Sequence, residues 1–182
     1  MEALPFRATL TGAPYETLGR LPVAVVLDCV RSVYNVGAFF RTGDAAGIER
    51  LYLTGYTGYP PHRGIAKTAL GAEATLPWER RDHAVPLAAE LCERGWEIAV
   101  IETSVCAVDL YDWRPVFPVC LIFGNEVDGV DPCLAETADV HVRVPMLGRK
   151  QSLNVAVAGG VVLFELLRKY RASTVYDPST GT

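Results

Sequence analysis

The chain has 182 residues, half of them hydrophobic, with a formal net charge of −4 and a sequence pI of about 5.4. That is enough apolar material for one domain with a real core, and the acidic balance argues against a protein that coats nucleic acid through overall charge. The charge is segregated, however: residues 1–70 carry 7 Lys/Arg against 5 Asp/Glu, residues 71–139 carry 4 against 14, and residues 140–182 carry 6 against 2. A basic face built from the two ends therefore stays open. The five cysteines (Cys29, Cys92, Cys106, Cys120 and Cys133) form no C-x-x-C pair and have no His at ligand spacing, which predicts free thiols and no metal site. Glu2 and Arg7 stand where a signal peptide would need an apolar stretch, so the expected location is cytoplasmic.

In chain order, residues 1–20 are short and irregular and read as an N-terminal arm. Val23–Asp28 is a continuous apolar run, the pattern of a strand covered on both faces. Asn35 is placed to cap a helix through Ala46, which Gly47 would stop. Leu51–Thr54 predicts a second strand, followed by a Gly/Pro/Tyr loop from Gly55 to Gly64 and a short helical piece ending near Leu70. Ala74–Trp78 predicts a third strand, Val85–Arg94 an amphipathic helix before Gly95, and Ile98–Glu102, Val119–Phe123 and Val140–Val144 three more strands. Ser152 then reads as the N-cap of a helix starting at Leu153 and apolar on nearly every side. Such a helix is expected to be buried all round, taking Asn154 inside with it. It is too short for a membrane span, which needs about 18–20 apolar residues. After Tyr170 the chain reads as a polar tail, so one domain over 21–170 is expected. Strands alternating with helices predict an α/β domain with a mostly parallel sheet and helices on both faces.

In such sheets ligands sit beyond the carboxyl ends of the strands, which directs attention to five loops: Asp28–Asn35, Thr54–Gly58, Glu102–Ser104, Gly124–Gly129 and Pro145–Ser152. No G-x-G-x-x-G follows the first strand, and Gly148 to Ser152 lacks the glycine and residue order of a phosphate loop. Three stretches are unusual: N-V-G-A-F-F-R (Asn35 to Arg41), F-G-N-E-V-D-G-V (Phe123 to Val130) and V-P-M-L-G-R-K-Q-S-L-N-V (Val144 to Val155). Each alone has a plain structural explanation. Asn35 can simply cap a helix, Arg41 can pair with Asp44, Asp128-Gly129 can be a turn, and Asn154 a satisfied core amide.

Together and in this order, the three resemble the signature motifs of the SpoU/TrmH family of RNA ribose 2′-O-methyltransferases, within the SPOUT superfamily. Asn35 to Ala45 matches the first motif except at Gly43, where the family has alanine; Gly124 to Gly129 matches the second and Val144 to Val155 the third. The resemblance covers about Val23 to Arg168, and Tyr52 to Pro61 with Lys67 to Glu73 resemble a subgroup of small bacterial members. It implies a C-terminal trefoil knot with the last helix threaded through a loop, S-adenosylmethionine as cofactor, and a homodimer through the C-terminal helix. It also implies methyl transfer to a ribose 2′-hydroxyl of tRNA or rRNA.

Matched onto this sequence, the implied catalytic group is Arg41 with Asn35, Glu126, Ser152 and Asn154. Ile101, Thr103, Gly124, Val144, Met146 and Leu153 would hold the cofactor, with Gly124 a glycine so that the ligand can approach the backbone. Arg31, Arg63, Lys67, Arg149 and Lys150 are the candidate phosphate contacts. Two other readings stay open from sequence: a knotted RNA-binding or dimerising protein without turnover, and an enzyme of the same superfamily that methylates a base.

Overall fold

The computed structural model describes residues 19–175. The arm expected over 1–20 thus lies almost wholly outside the described residues, as do residues 176–182. The chain runs β1 (Leu21–Asp28), α1 (Val33–Ala46), β2 (Ile48–Thr54), α2 (Arg63–Ala69), a 3-10 turn (Ala72–Ala74), β3 (Trp78–Arg81) and α3 (Ala84–Glu93). It continues through β4 (Glu97–Ile101), β5 (Val108–Asp109), β6 (Val119–Phe123), α4 (Pro132–Thr137), β7 (Val140–Arg143) and α5 (Val155–Val175).

The seven strands form one sheet in the order β3-β2-β1-β6-β4-β7-β5, and every neighbouring pair is parallel. Successive residues of β1 serve opposite faces. Val23, Val25 and Leu27 pack with Phe39 and Phe40 of α1, Ile65 of α2 and Val162 and Leu163 of α5. Ala24 and Val26 pack with Leu87 and Leu91 of α3 and Leu134 of α4. Helices on both sides explain why β1 and β6 are apolar without alternation. Each fully buried Leu or Phe in these two cores contributes about 1.5–3 kcal/mol.

Several element boundaries differ from the sequence reading. α1 is capped by Ser32, whose hydroxyl accepts the Asn35 N–H, so the Asn35 side chain is released for other work. The third strand is Trp78–Arg81, after Pro77, and not Ala74–Trp78; its W-E-R-R sequence suits a charged strand at the sheet's edge. α5 begins at Val155, not Leu153. Asn154 caps it: its Oδ1 accepts from the N–H groups of Ala156 and Val157, which displaces Ser152 from that role. α5 also continues to Val175, into the stretch that reads as a polar tail. Asn154 is exposed, and so are Val157 (54 %) and Phe164 (49 %), seven residues apart on one side of α5. The expectation of burial on nearly every face therefore fails for the single chain. No helix among the described residues is long and apolar enough to cross a membrane.

α5 lies against α1 at very short range. A Cβ on Gly159 would stand 2.3 Å from Phe39 Cε1, so a side chain there would have to push the buried Phe39 ring aside, and the glycine brings the third motif's helix onto the first's.

Candidate active site

β4, β6 and β7 end on the same edge of the sheet, and the loops that leave them enclose a cavity of about 390 Å³. Its walls come from Ile101–Thr103 after β4, Phe123–Val127 and Gly129 after β6, Val142–Val144 and Met146 of β7 and its exit, and Gln151–Val155 with Ala158 leading into α5. Ile101, Phe123, Val142, Val144, Met146 and Leu153 supply apolar surface, and Glu102 and Glu126 bring carboxylates.

The loop after β6 is held on every side. Asn125 is buried and pairs N–H to C=O with Gly129 in both directions. Its side-chain amide donates to the Cys29 carbonyl (3.0 Å) and to the Tyr56 hydroxyl (2.6 Å), and its Oδ1 accepts from the N–H groups of Val127 and Asp128. Glu102 accepts from Val130 N–H and Thr103 N–H. The loop's own packing requires glycine at 124: a Cβ there would lie 2.2 Å from the Gly129 carbonyl oxygen. The Asn125–Gly129 closure sets that demand, so a side chain at 124 would open the loop before it touched any ligand.

Glu126 joins this loop to α1. Its carboxylate accepts from Arg31 N–H (2.9 Å), Ser32 N–H (3.2 Å) and the Asn35 amide (2.9 Å). An anion at a helix N-terminus is favoured because the first N–H groups lack partners within the helix. Burial pushes the Glu126 carboxyl upward, but the N–H groups of Arg31, Glu126 itself and Ser32, with the Asn35 amide, outweigh it, and the group is held below its ordinary value. Asn35 Oδ1 in turn accepts from the Asn154 amide (3.2 Å). One relay thus runs from the start of α1 through Glu126, Asn35 and Asn154 to the first N–H groups of α5, tying together all three motif stretches.

The six positions expected to hold a cofactor (Ile101, Thr103, Gly124, Val144, Met146 and Leu153) all line the cavity, as do Glu126, Ser152 and Asn154. Asn35 stands behind Glu126 and Asn154, outside the lining. Arg41 also lies outside it, exposed on α1 and without a hydrogen bond or ion pair among the described residues. Asp44 accepts instead from the Thr75 hydroxyl, so the Arg41–Asp44 pair is not formed. Arg31, Arg63, Lys67, Arg149 and Lys150 are all exposed and none lines the cavity. Sequence reasoning missed Asn125 and Glu102 as supports of the site; an asparagine following glycine at the end of an apolar strand was the available signal.

The arrangement matches a known family. Residues 22–164 fit the SpoU rRNA Methylase family, and the chain belongs to it. It is 32% identical over 153 residues to the 23S rRNA (guanosine-2'-O-)-methyltransferase RlmB of Vibrio parahaemolyticus, covering 84% of this chain and 61% of the relative. The chain therefore spans about three fifths of that relative's length. In structure it resembles the A. aeolicus TrmH/SpoU tRNA modifying enzyme, with a TM-score of 0.78 and 31% identity over 87% of this chain and 80% of that one. The AdoMet-bound rRNA methyltransferase from Sinorhizobium meliloti gives a TM-score of 0.74 at 29% identity, covering 82% of this chain and 60% of that one.

Proposed function

We propose that this protein transfers a methyl group from S-adenosylmethionine to the 2′-hydroxyl of a ribose in tRNA or rRNA. The observation that carries the reading is that the second and third motif stretches line one cavity at the carboxyl ends of β4, β6 and β7, and that the first is fastened to them by the Glu126–Asn35–Asn154 relay. The names of the relatives support it: one is a ribose 2′-O-methyltransferase and one structural neighbour holds AdoMet. The cavity suits such a ligand, being of small-ligand size with apolar side chains (Ile101, Phe123, Val142, Val144, Met146 and Leu153) interleaved with polar ones (Glu102, Thr103, Asn125, Glu126, Ser152 and Asn154). Ile101, Thr103, Gly124, Val144, Met146 and Leu153 would hold it, and it would supply an electrophilic methyl group.

The chain's own residues then have two tasks. The relay fixes loop positions before substrate arrives; positioning can account for about 7–11 kcal/mol of a barrier. Arg41 is a poor base because its pKa exceeds about 12. Its fork serves better as a grip on a phosphate or on the developing alkoxide, with Ser152 and Asn154 orienting the ribose. Arg31, Arg63, Lys67, Arg149 and Lys150 contact phosphates.

The working unit is a cytoplasmic homodimer joined through α5. Exposed Val157 and Phe164 support this, since such a stripe on a single chain calls for cover. Thr42 lies against Gly160, so a second copy on that stripe would place neighbouring Arg41 at the boundary between copies. A C-terminal trefoil knot, with α5 threaded through a loop, belongs to the same reading. So does a methyltransferase domain over 21–170, whose last helix carries on to Val175. The test is incubation of total tRNA and rRNA with the protein and labelled S-adenosylmethionine, then alkaline hydrolysis. Label retained in alkali-resistant dinucleotides is the expected result; label released in mononucleotides would mean base methylation, and none at all would mean a binding protein.

A further inference from the structure

The Gly/Pro/Tyr loop from Gly55 to Gly64 lies outside the cavity lining. It is seated on the first turn of α1: a Cβ on Gly58 or Gly64 would come within 2.8 Å or 2.6 Å of Val33 methyl groups, and Thr68 of α2 donates to the Tyr34 carbonyl. Three tyrosines stand out from these segments, Tyr34 at 52 %, Tyr56 at 62 % and Tyr59 at 43 % exposure. Exposed tyrosines scattered singly are ordinary; these are neither single nor loose. The Tyr56 ring is open to solvent while its hydroxyl is held by Asn125, a residue of the cavity wall. Lys67 Nζ lies 5.8 Å from the Tyr34 ring centre, and the Arg80 guanidinium 4.8 Å from that of Tyr59.

The charge is equally uneven. Residues 29–43 and 55–72 contain Arg31, Arg41, Arg63 and Lys67 and not one Asp or Glu, in a chain whose net charge is −4. The nearby Glu126 carboxylate is turned onto Arg31 N–H, Ser32 N–H and Asn35, and Asp82 lies beside Arg80.

We propose that Tyr34, Tyr56 and Tyr59, with Arg31, Arg63 and Lys67, form a platform on which unpaired RNA bases stack beside the target nucleotide. The substrate class is then a single-stranded loop and not a duplex. This rests on the RNA methyltransferase reading above and names what that site takes. Aromatic faces bordered by cations are what unpaired bases and their phosphates need, whereas the bases of an A-form duplex are already stacked and offer no free face.

The test measures binding of labelled oligoadenylate, alone and as its duplex with oligouridylate, to the full chain saturated with S-adenosylhomocysteine. Single-strand binding is expected to exceed duplex binding, and Tyr34→Ala and Tyr59→Ala each to weaken it by about 5- to 100-fold, while Tyr34→Phe and Tyr59→Phe keep it. Lys67→Ala should reduce the salt slope by about one. Equal affinity for the duplex, or alanine variants that bind as the parent does, would overturn the platform. Calorimetry with S-adenosylhomocysteine alone reads the cavity separately: absence of binding there counts against the methyltransferase reading and not against the tyrosines.

Discussion

Two loops face each other across the cavity and are built on opposite principles. Residues 124–130 are tied by backbone pairing, by the Asn125 side chain, by Glu102 and by the Glu126 clamp on α1. Residues 146–153, which supply the other wall, make no hydrogen bond among the described residues, and Leu147 to Leu153 are exposed. One wall is preorganised and the other has little to hold it in the free chain. A methyl donor needs the first for alignment, while the second can settle around what binds.

The comparison can be broken at several points. The largest effect is expected from Arg41→Ala, on the braced side but outside the cavity: methyl incorporation should fall about 10²–10³-fold, as for loss of a donor to a developing oxyanion. Affinity for S-adenosylhomocysteine, measured by calorimetry, should be unchanged. A weakened affinity would place the guanidinium in the pocket.

Next comes Glu126→Ala, which strands two backbone N–H groups and the Asn35 amide. A misplacement near 1 Å can cost about 10²-fold in rate, and kcat is where it should appear. The same loop gives a pH test. The Glu126 carboxyl is held below its ordinary value of 4.5, so its bracing is complete above that value and is lost as pH falls through the lowered one. Amide protection of residues 125–130 should therefore drop on acidification below 4.5. In Glu126→Gln that step should vanish; its persistence would assign the acid sensitivity to another group.

A smaller effect concerns the other wall. Hydrogen exchange at residues 146–153 should be fast in the free protein and slow down when S-adenosylhomocysteine binds, with little change at 125–130. Smallest of all, Lys150→Ala should leave turnover on saturating RNA intact and lower the salt slope of RNA binding by about one.

The alternation of strands and helices was legible because β1 and β6 are covered on both faces and so carry unbroken apolar runs. The short pieces were not. β5 has two residues, and β3 hides behind Trp78-Glu79-Arg80-Arg81, whose charges suit an edge and defeat a hydrophobic pattern. α4 could have been read from Asp131 and Pro132, a cap followed by a first-turn proline. Both caps lie one turn or less from the side chain that the sequence pattern offers for the role. Ser32 and Asn154 do the capping, and this changes function as well as boundaries, because it frees Asn35 to bridge Glu126 and Asn154. Motif spacing brought the right stretches together but not their contacts: Gly124 is pressed against the Gly129 carbonyl, and Arg41 lies outside the cavity lining.

The place of β6 has a consequence for biosynthesis. It lies between β1 and β4, so the strands made first and those made last share no edge until Val119–Phe123 is inserted. A nascent chain emerging from the ribosome cannot join its two halves before Phe123 is out, and contacts this distant in sequence form slowly. Until then β1, apolar from Leu21 to Leu27, has one side unpaired, and an apolar strand with an open edge is a template for pairing with other chains.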